Sequence, residues 1–231
     1  MGRWMRLIAV AGAAAVLAPA AHASTKVPAA FPAAGPVLVP NLTVRAAPSP
    51  HARVVTVIHQ FRPDFREQYV LAVGSRKGKD GRTWVELRVQ LRPNGTLGWV
   101  PLSTVQLAPT HYRIVVHLGL RQIDLYHDGK QIAAAPVAIG APGRETPVGQ
   151  YYVTARFVPD DPFLGVFAVE TSAYSKLTEW PGGGVVGIHG TSAPQLIGQA
   201  VSHGCVRVTN ATAELLRRYA PLGTPIAIVA D

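Results

Sequence analysis

Cysteine is nearly absent from this chain. Cys205 is the only one among 231 residues, so an internal disulfide is excluded. There is no CxxC and no HxxxH pair, spacings that often announce a metal site. No long internal repeat and no heptad pattern occurs, which sets aside solenoids and coiled coils. Acidic residues are also scarce: 13 Asp and Glu stand against 22 Lys and Arg, for a formal net charge of +9. That balance suits an anionic setting such as a cell wall, a membrane surface or nucleic acid. The basic residues are scattered, however. Their densest group, Arg76-Lys77-Gly78-Lys79 beside Asp80-Gly81, has the composition of a solvated turn.

What is present begins with the first 23 residues. Arg3 and Arg6 precede an apolar run of 12 residues, Leu7 to Ala18, and Ala21-His22-Ala23 supplies the A-x-A pattern of a signal-peptidase site. The run is shorter than the ~20 apolar residues of a membrane-spanning helix. This pattern predicts export with cleavage after Ala23, an uncleaved N-terminal anchor being the alternative. No cysteine adjoins the cleavage site, so a cysteine-linked lipid anchor is excluded. Removing Arg3 and Arg6 lowers the formal charge from +9 to +7. For an exported chain, nucleic acid is not expected as a partner. Export also makes Cys205 conspicuous, because exported proteins normally use cysteines in pairs. An unpaired thiol is an inert buried group, half of an intermolecular bridge, a metal ligand or a nucleophile.

Residues 24–36 are rich in Ala and Pro and predict an extended linker without a core of its own. From 37 to 108 the signals are for short strands. Leu42-Thr43-Val44-Arg45 and Trp84-Val85-Glu86-Leu87-Arg88-Val89 alternate apolar and polar residues. Residues 53–58 and 68–73 are β-branched or aromatic runs, and Gly98-Trp99-Val100 follows a Pro93-Asn94-Gly95 turn. This succession predicts a small β-barrel and resembles bacterial SH3-like modules, which bind or space.

The second domain is expected over 111–231. Strands are predicted at 112–118, 123–126, 131–139, 149–154 and 225–229, with Asp128-Gly129 as a hairpin turn. Pro194 opens a short helix. Asn210 is positioned to cap another that carries Leu215, Leu216 and Tyr219, with Arg217 and Arg218 at its C-terminal end. The fold class is therefore mainly β with one or two short helices. Pro181-Gly182-Gly183-Gly184 reads as a surface turn, a lid hinge being the alternative. Trp180 and Phe163 either line a cleft or pack. His111, His117 and His127 have no motif around them.

The neighbours of Cys205 bear on chemistry. A thiol attacks as its thiolate, and an imidazole can take its proton. His203 lies two residues before Cys205, and His189 sixteen before it at the end of an apolar, strand-like stretch, Val185-Val186-Gly187-Ile188-His189. Were 201–205 extended, His203 would stand ~6–7 Å from the thiol, beyond hydrogen-bond reach. A residue on a neighbouring strand comes closer, which favours His189 as base. His203 would then shape the site. Gly190 and Gly204 permit close backbone approach, and N–H groups around Gly204 and Cys205 are candidates for an oxyanion hole. Zinc on His189, His203 and Cys205 is the disfavoured alternative.

Ile188-His189-Gly190-Thr191 followed by Ser202-His203-Gly204-Cys205-Val206-Arg207 resembles the catalytic motif of the L,D-transpeptidase (YkuD-like) family. Arg144-Glu145-Thr146-Pro147-Val148-Gly149-Gln150-Tyr151-Tyr152 is similar to the family's Thr-Pro-x-Gly-x-aromatic segment. The likeness covers about residues 111–230. It implies a mostly-β transpeptidase domain acting on peptidoglycan stem peptides in the wall or periplasm. Cys205 would be the nucleophile and His189 the proton carrier. Ser202, His203, Gly204, Arg207 and Gly190 would shape the pocket and support the oxyanion. No metal or organic cofactor is implied, and carbapenems are expected to acylate the cysteine.

Overall fold

The computed structural model describes residues 26–179 and 182–231. The expected export signal, residues 1–23, and the pair Trp180 and Pro181 lie outside the described residues. The chain builds two β modules.

The first holds β1 (Ala33–Pro36), β2 (Asn41–Arg45), β3 (Val54–His59), β4 (Tyr69–Lys77), β5 (Thr83–Arg88), β6 (Leu97–Pro101) and β7 (Ala108–Pro109). They form one sheet in the order β3-β2-β6-β5-β4-β1-β7. Alternation places Leu42, Val44, Leu87 and Val100 in one core with Val70 and Val85. The structure departs from the sequence expectation at residues 33–36. Instead of a coreless linker they form β1, inserted between β4 and β7 with Ala33 opposite both Ala72 and Pro109. The small residues that suggest a linker are what this close packing requires. A β-carbon at Gly35 would lie 1.7 Å from the Gln106 carbonyl oxygen.

The second module holds β8 (Tyr112–His117), β9 (Gln122–His127), β10 (Lys130–Pro136), β11 (Ile139–Gly140), β12 (Gly149–Phe157), β13 (Ala168–Tyr174), β14 (Val185–His189), β15 (Ala200–Ser202), β16 (Val206–Arg207), α1 (Asn210–Tyr219) and β17 (Pro225–Val229). Eight strands run β10-β9-β8-β17-β12-β13-β14-β16, and β11 pairs with β15. The Asp128-Gly129 turn has positive φ at both residues (47° and 78°), as its sequence predicts. The last strand, β17, enters the middle of the sheet, parallel to β8 and antiparallel to β12. Strand β13 has no clear apolar pattern, because Glu170, Thr171 and Ser172 interrupt it. Its buried hydroxyls are satisfied instead: Thr171 Oγ1 donates to Val186 O (2.7 Å), and Ser172 Oγ accepts from Tyr152 N (3.1 Å).

Helix α1 is only 10 residues long, too short to persist alone. It is held by Ala213 and Leu216, both fully buried in the module's core. Burying a leucine contributes ~1.5–3 kcal/mol. Its cap is Thr209, whose hydroxyl accepts from Thr212 N (3.2 Å). Asn210, the residue expected to cap, is the first residue of the helix and turns its side chain elsewhere.

The modules meet along β13 and the segment after it. Asn94 donates to Tyr174 O (2.8 Å) and accepts from Tyr174 N (3.0 Å). Arg92 donates to Ser175 O (2.7 Å) and Gly183 O (3.0 Å), and Arg62 pairs with Glu170 (2.8 Å). The polyglycine segment is thus tied to the first module through Gly183.

Candidate active site

Strand β14 delivers His189, and its neighbour β16 follows Cys205. The two pair in parallel, with Ile188 opposite Val206 and His189 opposite Arg207. The approach to Cys205 is bent rather than extended. Strand β15 stops at Ser202, and Gly204 takes φ +114°, a left-handed conformation that side chains rarely adopt. Ser202 Oγ closes this turn, donating to Cys205 O (2.5 Å) and accepting from Gly204 N (3.1 Å). Thr146 pins it from outside, donating to Gly204 O (2.9 Å) and accepting from Gly140 N (2.9 Å). A β-carbon at Gly204 would also come within 2.9 Å of Ser175 Cβ.

The bend decides where His203 goes. It does not share an extended face with Cys205. Its Nε2 instead accepts from the Arg144 guanidinium. Burial, then the charges of Arg144 and Arg207, push its pKa down. The Gly204 N–H, a candidate oxyanion donor, is spent on Ser202, which leaves Cys205 N–H as the donor adjoining the thiol.

The thiol and His189 flank one bare point on β14. Gly187 N–H donates to Cys205 Sγ (3.3 Å), and a β-carbon at Gly187 would stand 3.9 Å from both Sγ and His189 Cδ2. That carbon is bonded to Nε2. His189 is 4% exposed, and its Nδ1 lies 2.6 Å from Gly190 O. This assigns the proton to Nδ1 and leaves the Nε2 lone pair as acceptor. Burial lowers the imidazole pKa to about 4, with the Arg207 charge adding to the shift and backbone hydrogen bonds at Gly190 and Leu164 opposing it. Burial raises the Cys205 thiol, against opposing effects of the Gly187 N–H and the Arg207 charge. At neutral pH both groups are therefore uncharged. The arrangement suits general-base attack, in which the thiol loses its proton as it forms a bond, rather than a standing thiolate–imidazolium pair.

Arg207 is 7% exposed, and its guanidinium lies 4.7 Å over the Phe163 ring. Phe163 thereby packs on a residue of the motif.

A family model described as the L,D-transpeptidase catalytic domain (YkuD) matches residues 111–228. The chain belongs to this family. It is 34% identical over 118 residues to a Bacillus licheniformis protein bearing the L,D-transpeptidase name YkuD, a match covering 51% of this chain and 65% of that protein. This chain thus spans less than two thirds of that relative's length. It is similar in structure to an L,D-transpeptidase from Mycobacterium tuberculosis H37Rv (16% identity, 70% of this chain and 90% of that one, TM-score 0.47). It is also similar to L,D-transpeptidase 3 from Mycobacterium tuberculosis in complex with a faropenem-derived adduct (16% identity, 70% and 90%, TM-score 0.46).

Within this YkuD domain the structure adds a residue whose part the sequence does not disclose. Asn210 Oδ1 accepts from Thr191 N (3.1 Å) and Val166 N (3.3 Å), tying the His189-Gly190-Thr191 corner to the loop after the Pro162–Leu164 turn. The approach is so close that a β-carbon at Gly190 or at Gly165 would lie 2.3 Å from Oδ1. Gly190 is therefore small because Asn210 is there, and its carbonyl in turn holds Nδ1 of His189. Ser202 and Gly204 shape the turn beneath Cys205, whereas His203 faces Arg144 at the site's edge. Among the described residues, no three His, Cys, Asp or Glu side chains gather as a metal site.

Proposed function

We propose that the chain is an exported cysteine L,D-transpeptidase that cross-links peptidoglycan stem peptides. The observation that carries this reading is the Cys205 thiol and the buried, Nδ1-anchored His189 flanking Gly187. Sγ attacks the carbonyl of the third stem residue in a tetrapeptide donor, usually meso-diaminopimelate, while His189 Nε2 takes the thiol proton. The S–C bond forms, the C–N bond to D-alanine breaks, and His189 hands the proton to the departing amine. A side-chain amine of a second stem then attacks the thioester. The C–S bond breaks, the surplus amine proton passes to the thiolate, and a 3→3 link results. Cys205 N–H is the donor nearest the developing oxyanion. The segment 1–23 would direct export, and an SH3-like first module would bind or space the catalytic domain in the wall. Among the described residues no helix is long and apolar enough to cross a membrane.

Incubation with a disaccharide tetrapeptide tests the reaction. Cross-linked dimer with release of D-alanine is expected. Tripeptide without dimer would replace transpeptidation by L,D-carboxypeptidation, with water as the acceptor at the same thioester.

Asn210 is expected to set the base. Asn210→Ala releases the Gly190 corner and opens His189 to water, so the imidazole pKa rises from about 4 towards its ordinary value near 6.5. Since only the neutral ring accepts a proton, the acid limb of the acylation rate moves up by the same amount. The rate at pH 5 falls by up to about thirtyfold, while at pH 7, where the ring is still mostly neutral, it changes little. Asn210→Asp keeps an oxygen acceptor for both N–H groups and should retain most of the rate. A pH–rate profile for carbapenem acylation measures both; an unmoved acid limb in Asn210→Ala removes the positioning role.

A further inference from the structure

The Pro93-Asn94-Gly95 turn of the first module reaches across to the second. Gln90, Arg92 and Asn94, alternate residues of the loop between β5 and β6, all bond to the far end of β13 and the residues after it. Gln90 donates to Thr171 O (3.4 Å). Asn94 meets both backbone groups of Tyr174. The register of β12 with β13 ends at Thr171, so beyond it the Asn94 carboxamide does what a strand partner would do. Arg92 stacks 4.6 Å over the Tyr174 ring and joins the carbonyls of Ser175 and Gly183. Those carbonyls lie on the two arms that leave β13 and enter β14, and Ser175 N donates to Gly184 O (2.8 Å) between the same arms.

Ser175, fixed in this way, abuts the turn that carries Cys205. It is 3% exposed, and its Cβ would stand 2.9 Å from a β-carbon at Gly204. Gly204 is thus packed against Ser175 while Thr146 Oγ1 holds its carbonyl. The two supports are tied to each other, since Lys176, next to Ser175, pairs with Glu145, next to Thr146 (3.0 Å). That pair is exposed and contributes little by itself. A glycine has no side chain to restrict its dihedral angles, so its neighbours must hold it at φ +114°. Arg92 and Asn94 hold one of those neighbours from outside the catalytic domain.

On the reading that Cys205 is the nucleophile, we infer that Arg92 and Asn94 are positioning residues for it. By keeping Ser175 against Gly204 they preserve the bend that sets the thiol, with His189, at the bare point on β14. The first module is then a working part of the catalytic site as well as a unit that binds or spaces. A third contact supplies the comparison. Arg66 also joins the modules, donating to Arg156 O on β12 (2.7 Å), but it touches neither Tyr174 nor Ser175.

The test compares Arg92→Ala, Arg92→Lys, Asn94→Ala and Arg66→Ala in the full chain, at a temperature where melting curves show all of them folded. Backbone hydrogen exchange over 200–207 and the carbapenem acylation rate at saturation are measured. Arg92→Ala and Asn94→Ala should speed exchange around Gly204 and Cys205 by about tenfold. They should slow acylation by about tenfold with little change in carbapenem affinity. Arg92→Lys keeps a donor for one carbonyl and should recover part of both. Arg66→Ala should lower Tm while both readouts stay at the wild-type value. Unchanged exchange over 200–207 in both alanine variants at positions 92 and 94 overturns the inference. So do equal changes in Arg66→Ala, because loosened docking in general would then be the cause. Exchange requires no chemistry at the thiol. A wild type that takes no adduct would therefore end the nucleophile reading, while the exchange comparison would still decide whether the first module holds the turn.

Discussion

Cys205→Ala should gain no mass on exposure to a carbapenem, whereas the wild type gains a single adduct. The same variant should form neither dimer nor trimmed stem peptide, a loss of at least about 10⁴-fold. The reading is unusually clean because the chain has one thiol, so no second sulfur can carry the label. The substitution also leaves the surroundings intact. The turn below the thiol is held by Ser202, Thr146 and the conformation of Gly204, none of which needs the sulfur. Loss of the adduct in a folded variant therefore reports chemistry, and a melting curve matching wild type verifies the fold. An adduct of the same mass on Cys205→Ala moves the nucleophile elsewhere. A wild type without any adduct ends the acyl-enzyme reading. The burial that keeps the thiol protonated adds a contrast. A simple alkylator, which needs a thiolate already formed, should react far more slowly than a β-lactam that fits the site and recruits His189.

Which parts of this site can be read from sequence depends on whether their cause is local. Cys205 and His189 are legible because one is chemically conspicuous and the other ends an apolar run that reads as a strand. That this strand lies beside the Cys205 turn comes from the fold, in the parallel pairing of β14 with β16. The direction of His203 is not legible. It turns on one dihedral angle at Gly204, and glycine permits an extended chain as readily as a bend. Asn210 is hidden for a different reason. At the start of a helix, asparagine has a sufficient local explanation as a cap, and only the fold reveals that Thr209 caps while Asn210 reaches back 19 residues to Thr191. Thr146 is hidden by distance, since its partner Gly204 lies 58 residues on. In the first module the same limit applies to β1. Ala, Pro and Gly favour a linker on composition, and the requirement for small side chains comes from Gln106, which composition cannot supply.

The remaining large effect separates the two histidines. His189→Ala should slow acylation by ~10²–10⁴-fold, the usual worth of a positioned general base. His203→Ala should cost less, because Nε2 of His203 accepts from Arg144, whereas His189 stands with the thiol at the bare point on β14. The pH profile gives the ranking a second, independent reading. A base whose pKa is lowered to about 4 is neutral, and competent, at every pH above that. The wild-type rate should therefore hold level from about pH 5 to about pH 8, falling only as the buried ring takes a proton. An imidazole of ordinary pKa, ~6.5, would instead lose rate through the sixes; His203, whose own pKa is also lowered, is set apart from His189 by the profiles of the variants. His203→Ala should keep the level profile. His189→Ala should lose it, with the residual rate climbing about tenfold per pH unit, as hydroxide and spontaneous ionisation replace the missing base, until the thiol itself titrates. Should His203→Ala prove the slower variant, and the one with the altered profile, the two residues exchange roles. The bend at Gly204 would then have to straighten during turnover to bring His203 to the sulfur.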